Sequence, residues 1–251
     1  MNVLINGIGG RMGKEVAALC AEGCRGARLV FGVDPTLEGG STVPVAKSFS
    51  EVPVGMDVDC IIDFSTHSTV TELLRFARER KIPAVIATTG HTEEERAAIL
   101  AAAEEIPVFF SANMSLGVAL LVELARSAAA AMPNAEIEIV EKHHSRKLDA
   151  PSGTALMLYN AIQEVRPNAT KKLGRAGVGK RTPDEIGIHS VRMGNIIGEH
   201  EVIICTQNET LTLKHEAHSR ALFAEGALCA AEFTVKMEAG LYDMKSLVSG
   251  R

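Results

Sequence analysis

The chain has 251 residues, of which 46% are hydrophobic and 23% charged, and its formal net charge is -5. That length holds one large domain or two modest ones sharing a cleft, and the balance is that of a globular protein. An acidic chain with 4% aromatic residues lacks both the basic footprint and the stacking surface of a nucleic-acid binder.

No apolar run reaches the roughly 20 residues that span a bilayer. The N-terminus lacks a basic leader region, so a cytoplasmic protein with no membrane partner is expected. Cys20, Cys24, Cys60, Cys205 and Cys229 are odd in number and scattered, the usage of reduced, buried thiols.

In chain order, the spacing predicts a strand over 3–6, a helix over 13–22 and a strand over 28–34. A strand over 59–64 and a helix over 70–80 follow, then a strand over 84–88, a helix over 92–104 and a strand over 108–111. Thr92 and Glu95 have capping-box spacing for that last helix. Continuous apolar strands separated by helices imply a parallel sheet covered on both faces, a Rossmann-like α/β domain. The pattern changes near residue 115. After a long Ala/Leu helix over 116–131 comes an alternating strand over 136–142, with one wet face. A helix over 154–165 and a Gly/Lys/Arg-rich stretch over 168–183, read as a loop, come next. Three alternating strands over 185–192, 199–206 and 209–215 and a helix over 220–236 complete the chain. This half is expected to be a smaller α+β mixed-sheet domain, packed against the first across a cleft.

Gly7, Ile8, Gly9, Gly10, Arg11 and Met12 lead into Gly13 between the first strand and the first helix. Small residues there let backbone N–H groups approach a pyrophosphate whose charge the helix terminus favours. The glycines run G-x-x-G-x-x-G rather than G-x-G-x-x-G. Asp34 ends the second strand, close to the spacing of a carboxylate that holds an adenosine ribose 2′-hydroxyl. It repels a 2′-phosphate, which leans the choice between NADH and NADPH toward NAD, although Arg11 could still meet such a phosphate. Two further loops at strand C-termini suit the nicotinamide end: Ala87, Thr88 and Thr89, and Ser111, Ala112, Asn113 and Met114.

The stretch from Glu141 to Ala155 packs His143, His144, Lys147 and several other charges ahead of a helix start at Ser152-Gly153-Thr154. A histidine gives a proton near neutral pH, a lysine stabilises a developing anion, and a helix N-terminus binds a carboxylate. Ser152 is the expected cap. H-E-x-x-H is absent, and His215 and His218 stand at a strand end, so no metal site is expected. With the glycine loop, the segment indicates a reductase of a small acid.

The chain resembles the 4-hydroxy-tetrahydrodipicolinate reductase family, also called dihydrodipicolinate reductase, over nearly its whole length. The resemblance rests on residues 7–13, 63–66, 88–90, 113–117, 185–192, 198–200, 240–244 and, most specifically, E-x-H-H-x-x-K-x-D-A-P-S-G-T-A at 141–155. It implies a dinucleotide-binding domain over 1–114 and 224–251, and a substrate-binding and oligomerisation domain over 115–223 that builds a homotetramer. It also implies reduction of a cyclic dicarboxylate to tetrahydrodipicolinate by NADH or NADPH, in diaminopimelate and lysine biosynthesis. By resemblance His143 is the proton donor and Lys147 the second donor, while His144, Gly153 and Thr154 bind substrate. Residues 7–12, Asp34, 87–89 and 111–114 match cofactor segments. The chain departs from the family at Ala87 (usually glycine), at Ala112 (commonly proline) and at Met193 and Asn195, which interrupt an Arg-Gly-Gly-Asp run. The alternatives are a non-catalytic NAD(P)-binding regulator, or another two-domain dehydrogenase of an amino-acid pathway.

Overall fold

The computed structural model describes residues 1–37 and 41–250; residues 38–40 and 251, inside the expected first domain, lie outside it. The chain divides into two compact units, Met1–Ser115 with Arg220–Arg251, and Leu116–Ser219.

The first unit is a seven-stranded sheet. Its strands are β1 (Asn2–Asn6), β2 (Arg28–Val33), β3 (Val45–Ala46), β4 (Cys60–Asp63), β5 (Ala84–Ile86), β6 (Pro107–Phe110) and, from the far end of the chain, β12 (Gly240–Tyr242). The order is β12-β6-β5-β4-β1-β2-β3, and every pairing is parallel. β1 and β4 are buried along nearly their whole length, as strands covered on both faces must be. The helices are α1 (Arg11–Ala21), α2 (Val70–Arg80), α3 (Glu93–Ala103), α6 (Ala221–Thr234) and the short α7 (Met244–Ser249). α6 packs on α1 and on β4, β5 and β6, while α2 and α3 pack on each other. The α3 capping box forms as its spacing indicates, with Thr92 and Glu95 each bonding the other's backbone N–H. α6 approaches so closely that a β-carbon on Gly226 would lie 1.7 Å from the Met114 carbonyl oxygen.

The second unit has α4 (Leu116–Ala131), β7 (Glu136–His143), α5 (Gly153–Val165), β8 (Thr170–Leu173), β9 (Glu185–Arg192), β10 (Glu199–Cys205) and β11 (Thr210–Glu216). Its sheet runs β11-β10-β7-β9-β8. β10 is antiparallel to both neighbours, while β7, β9 and β8 run parallel. α4 and α5 pack together, and their Leu121, Ala125, Leu158 and Ile162 meet Ile137, Ile139, Ile188, Val202 and Ile204 of the sheet in one core. The mixed sheet is as expected. The stretch 168–183 is corrected: β8 lies inside it and pairs with β9. All four β8 residues are exposed, so no buried face marked it as a strand. β3, β12 and α7 are likewise too short to leave a periodic pattern.

Candidate active site

The glycine turn is built by close approaches. Gly7 has φ +82° and accepts an N–H from Gly10 at 3.0 Å. A β-carbon at Gly13 would lie 2.2 Å from the Gly7 carbonyl oxygen, and one at Gly7 would lie 2.6 Å from that of Phe64. Only glycine fits either position. α1 then begins at Gly10 with no side-chain cap, which leaves its first N–H groups for a ligand. α3 and α5, by contrast, close their own first turns with Thr92 and Ser152.

Asp34 stands just past β2. Its Oδ2 accepts the Gly9 N–H at 2.9 Å, and its Oδ1 accepts the N–H and the hydroxyl of Thr36 at 2.9 and 2.7 Å. Burial raises its pKa, but the bonds from Thr36 and Gly9 outweigh that and hold Asp34 below the ordinary carboxylate value. The side chain is therefore an anion fixed beside the turn. An uncapped helix start, a turn that β-carbons would fill and a fixed carboxylate together fit a dinucleotide.

The other expected cofactor residues separate by exposure. Ile8, Ala87, Thr88 and Met114 are buried, whereas Gly10, Arg11, Thr89 and Ala112 are exposed. Ile8 packs over Gly32. The Thr88 hydroxyl accepts the Ser65 N–H at 3.0 Å, tying the loops after β4 and β5 together. Ser111 and Asn113 shape their own loop, the Ser111 hydroxyl donating to the Asn113 carbonyl at 2.8 Å and Asn113 Oδ1 accepting the Ser115 N–H at 2.9 Å.

The second unit holds the residues expected to transfer protons. β7 ends on His143, whose Nδ1 lies 2.6 Å from Glu141 Oε2. Arg192, at the end of β9, grips both oxygens of Glu141 at 2.8 and 2.7 Å, and the Ser152 N–H adds a bond at 3.1 Å. Glu141 is fully buried, and His143 is nearly so. Burial raises the Glu141 pKa, but the bonds from His143 and Arg192 prevail and hold the group well below the carboxylate range. His200 of β10 stacks edge-on to His143, ring centres 5.2 Å apart, and its Nε2 lies 3.1 Å from the Ser152 hydroxyl. Burial, then the neighbouring His143, lowers the His200 pKa to about 4, so it is neutral at physiological pH. Past β7, Lys147 Nζ pairs with Asp149 Oδ1 at 2.8 Å. Arg146 donates to Asn195 at 3.0 Å, so one of the departures from the family pattern braces this loop.

Ser152 caps α5 by accepting the Ala155 N–H at 3.2 Å, as its position indicates. Gly153 is exposed, and a β-carbon there would meet nothing within 4 Å. The structure thus places His143, His144, Lys147, Gly153 and Thr154 in one unit and the expected cofactor segments in the other. Sequence reasoning missed Glu141, Arg192 and His200 as parts of the site. Among the described residues no group of side chains is arranged to hold a metal ion.

The glycine turn of the first unit and the buried imidazole–carboxylate pair of the second indicate the class, a dinucleotide-dependent oxidoreductase. Two signatures cover nearly all of the chain: "Dihydrodipicolinate reductase, N-terminus" over residues 1–114 and "Dihydrodipicolinate reductase, C-terminus" over 117–248. A 4-hydroxy-tetrahydrodipicolinate reductase of Caldanaerobacter subterraneus subsp. tengcongensis is 46% identical over 250 residues, covering 99% of this chain and 98% of that one. The dipicolinate-bound dihydrodipicolinate reductase from Paenisporosarcina sp. TG-14 superposes with a TM-score of 0.84 at 28% identity, over 98% of each chain. A myo-inositol dehydrogenase from Corynebacterium glutamicum shares the fold, with a TM-score of 0.62 at 21% identity, 96% of this chain and 90% of that one being covered. The chain belongs to the dihydrodipicolinate reductase family.

Proposed function

We propose that the chain reduces 4-hydroxy-tetrahydrodipicolinate to tetrahydrodipicolinate with NAD(P)H, in diaminopimelate and lysine biosynthesis. Family membership supports the reaction, and one observation carries its assignment to residues. A nearly buried imidazole, bonded to an ionised carboxylate at 2.6 Å, stands one short segment from a lysine and from the exposed Gly153 at the start of α5.

In this reading the substrate carboxylates are bound at Gly153 and Thr154, where α5 begins and its dipole favours negative charge. The 4-hydroxyl leaves as water to give the conjugated dihydro ring, and the reduced nicotinamide, when bound, would supply hydride to the ring carbon that carried it. The negative charge then conjugates toward the ring nitrogen, where Lys147 and His144 stabilise it. His143 gives a proton to the adjacent carbon. The segments 7–12, 87–89 and 111–114 hold the dinucleotide. Asp34 favours NADH, because its fixed negative charge repels a 2′-phosphate and accepts from a 2′-hydroxyl. Assembly as a homotetramer and residence in the cytoplasm belong to the same reading. Among the described residues no helix is long and apolar enough to cross a membrane.

The test follows NADH oxidation with the condensation product of pyruvate and aspartate semialdehyde, for the native chain and His143→Gln. The expected result is turnover by the native chain and a kcat loss of about 10²-fold or more in the variant, with cofactor affinity unchanged. Cofactor binding without turnover in the native chain would leave the non-catalytic regulator standing. Near-normal turnover in the variant would remove His143 from its role.

A further inference from the structure

Glu141 sits where the alternation of β7 calls for an apolar side chain. Ile137 and Ile139, four and two positions earlier on the same face, are core residues. A carboxylate with 0% exposure is costly unless its charge is met, and hydrogen bonds from three elements meet it, Ser190 of β9 among the donors. The others come from both Arg192 guanidinium nitrogens on β9, from the Ser152 N–H at the start of α5, and from His143 on β7 itself. A clamp between strands alone does not account for this set. β7 and β9 are already in continuous parallel register from Ile137–Ile186 to His143–Arg192, and Arg192 alone reaches both oxygens. The bond to His143 adds nothing to strand pairing, but it fixes one ring nitrogen.

The other ring nitrogen faces Gly198. A β-carbon on Gly198 would lie 3.2 Å from His143 Nε2, so the glycine keeps a side chain from crowding that atom. We propose that Glu141 is the positioning residue of the reaction: it takes the Nδ1–H of His143, so that Nε2 carries the transferable proton, and Arg192 keeps Glu141 ionised and aligned. The proposal rests on the reading of His143 as proton donor. A carboxylate behind a histidine fixes the ring's tautomer and orientation and stabilises its protonated form. Among the described residues, the other titratable or charged groups around this pair are Arg192 with Asp149 beside it, and His200 with His215 and Lys147 beside it. His200 loses its proton as pH rises through about 4, so it does not titrate in the neutral range where the pair is tested.

The experiment measures kcat and KM between about pH 6 and 9, the range histidine titration spans. The variants are Glu141→Gln, His143→Gln and the double variant, with cofactor affinity and thermal melting measured alongside. Glu141→Gln presents an amide to Nδ1 and destabilises the imidazolium. It is expected to lower kcat by roughly 10²-fold, leave cofactor affinity unchanged and move the falling limb of the kcat profile to lower pH. The double variant is expected to turn over no more slowly than His143→Gln alone, because Glu141 acts through that ring. Multiplying losses, or a limb at its native pH in Glu141→Gln, would overturn the proposal. Native turnover in His143→Gln is a distinct outcome that removes the proton donor itself. Should Glu141→Gln fail to melt cooperatively, Glu141→Asp carries the comparison. It keeps the charge, so the native limb is expected, with a smaller kcat loss that is again absent on top of His143→Gln. A loss that persists there overturns the proposal.

Discussion

At the scale of single residues, His143 and Lys147 stand out in sequence as candidates for proton transfer because their side chains can carry that chemistry. Asp34 stands out as a cofactor candidate through its distance from the glycine turn. Glu141 does not, because three glutamates in one strand read together as a wet face. The signal lies in the phase. Glu136 and Glu138 fall on one face, but Glu141 falls on the other, with Ile137, Ile139 and His143. An acidic residue that changes face inside an alternating strand is either misplaced or paired, and Arg192 supplies the pair. Asp34 carries a prediction of its own. Its two oxygens already hold Gly9 and Thr36, so the charge cannot swing away from an incoming 2′-phosphate. kcat/KM is expected to be higher with NADH than with NADPH, and Asp34→Ser is expected to narrow that ratio. A strong NADPH preference in the native chain would refute the role of Asp34.

Elements that bury a face were legible, and those that do not were missed. β1, β4 and β7 announce themselves by runs or alternation of apolar side chains, because each packs against a core. β8 is Thr-Lys-Lys-Leu and exposed throughout; only its hydrogen bonds to β9 make it a strand, and backbone pairing leaves no mark on composition. Caps stand between these cases, since their chemistry is local. Ser152 both caps α5 and meets His200, so Ser152→Ala removes a buried acceptor and a buried partner together. We expect it to cost about 1 kcal/mol of stability, read as a lower urea midpoint with an unchanged slope. An unchanged midpoint would show that the cap contributes nothing to this unit. The same variant leaves the Glu141–His143 contact in place, so its pH profile is expected to match that of the native chain.

At the scale of the molecule, each unit has its own apolar core, one around Leu4, Ile61, Leu73 and Ile86 and one around Leu121, Ile139, Leu158 and Val202. The first core was predictable as a doubly covered parallel sheet. Its dependence on the end of the chain came only from the family resemblance, because an Ala-rich helix such as α6 names no partner. α6 buries Leu228 and a row of small residues, and its Gly226 presses on the backbone of Met114 in one of the expected cofactor loops. A chain ending at Ser219 is expected to lose NADH binding and the calorimetric transition of the first unit. If that chain bound NADH normally, α6 would be dispensable to the dinucleotide half.

Because the first unit is assembled from both ends of the chain, the order of synthesis constrains when function can appear. Emerging from the ribosome, residues 1–115 present a sheet without β12 and without the helix that covers β4, β5 and β6. The whole second unit follows before α6 is made. Domains ordinarily fold in the order in which they are translated, but here the unit that begins first is completed last. The proton-transfer segment can be in place while the nucleotide half is still open. A polypeptide released early therefore carries His143 and Glu141 without a completed first unit, whose sheet faces stay uncovered.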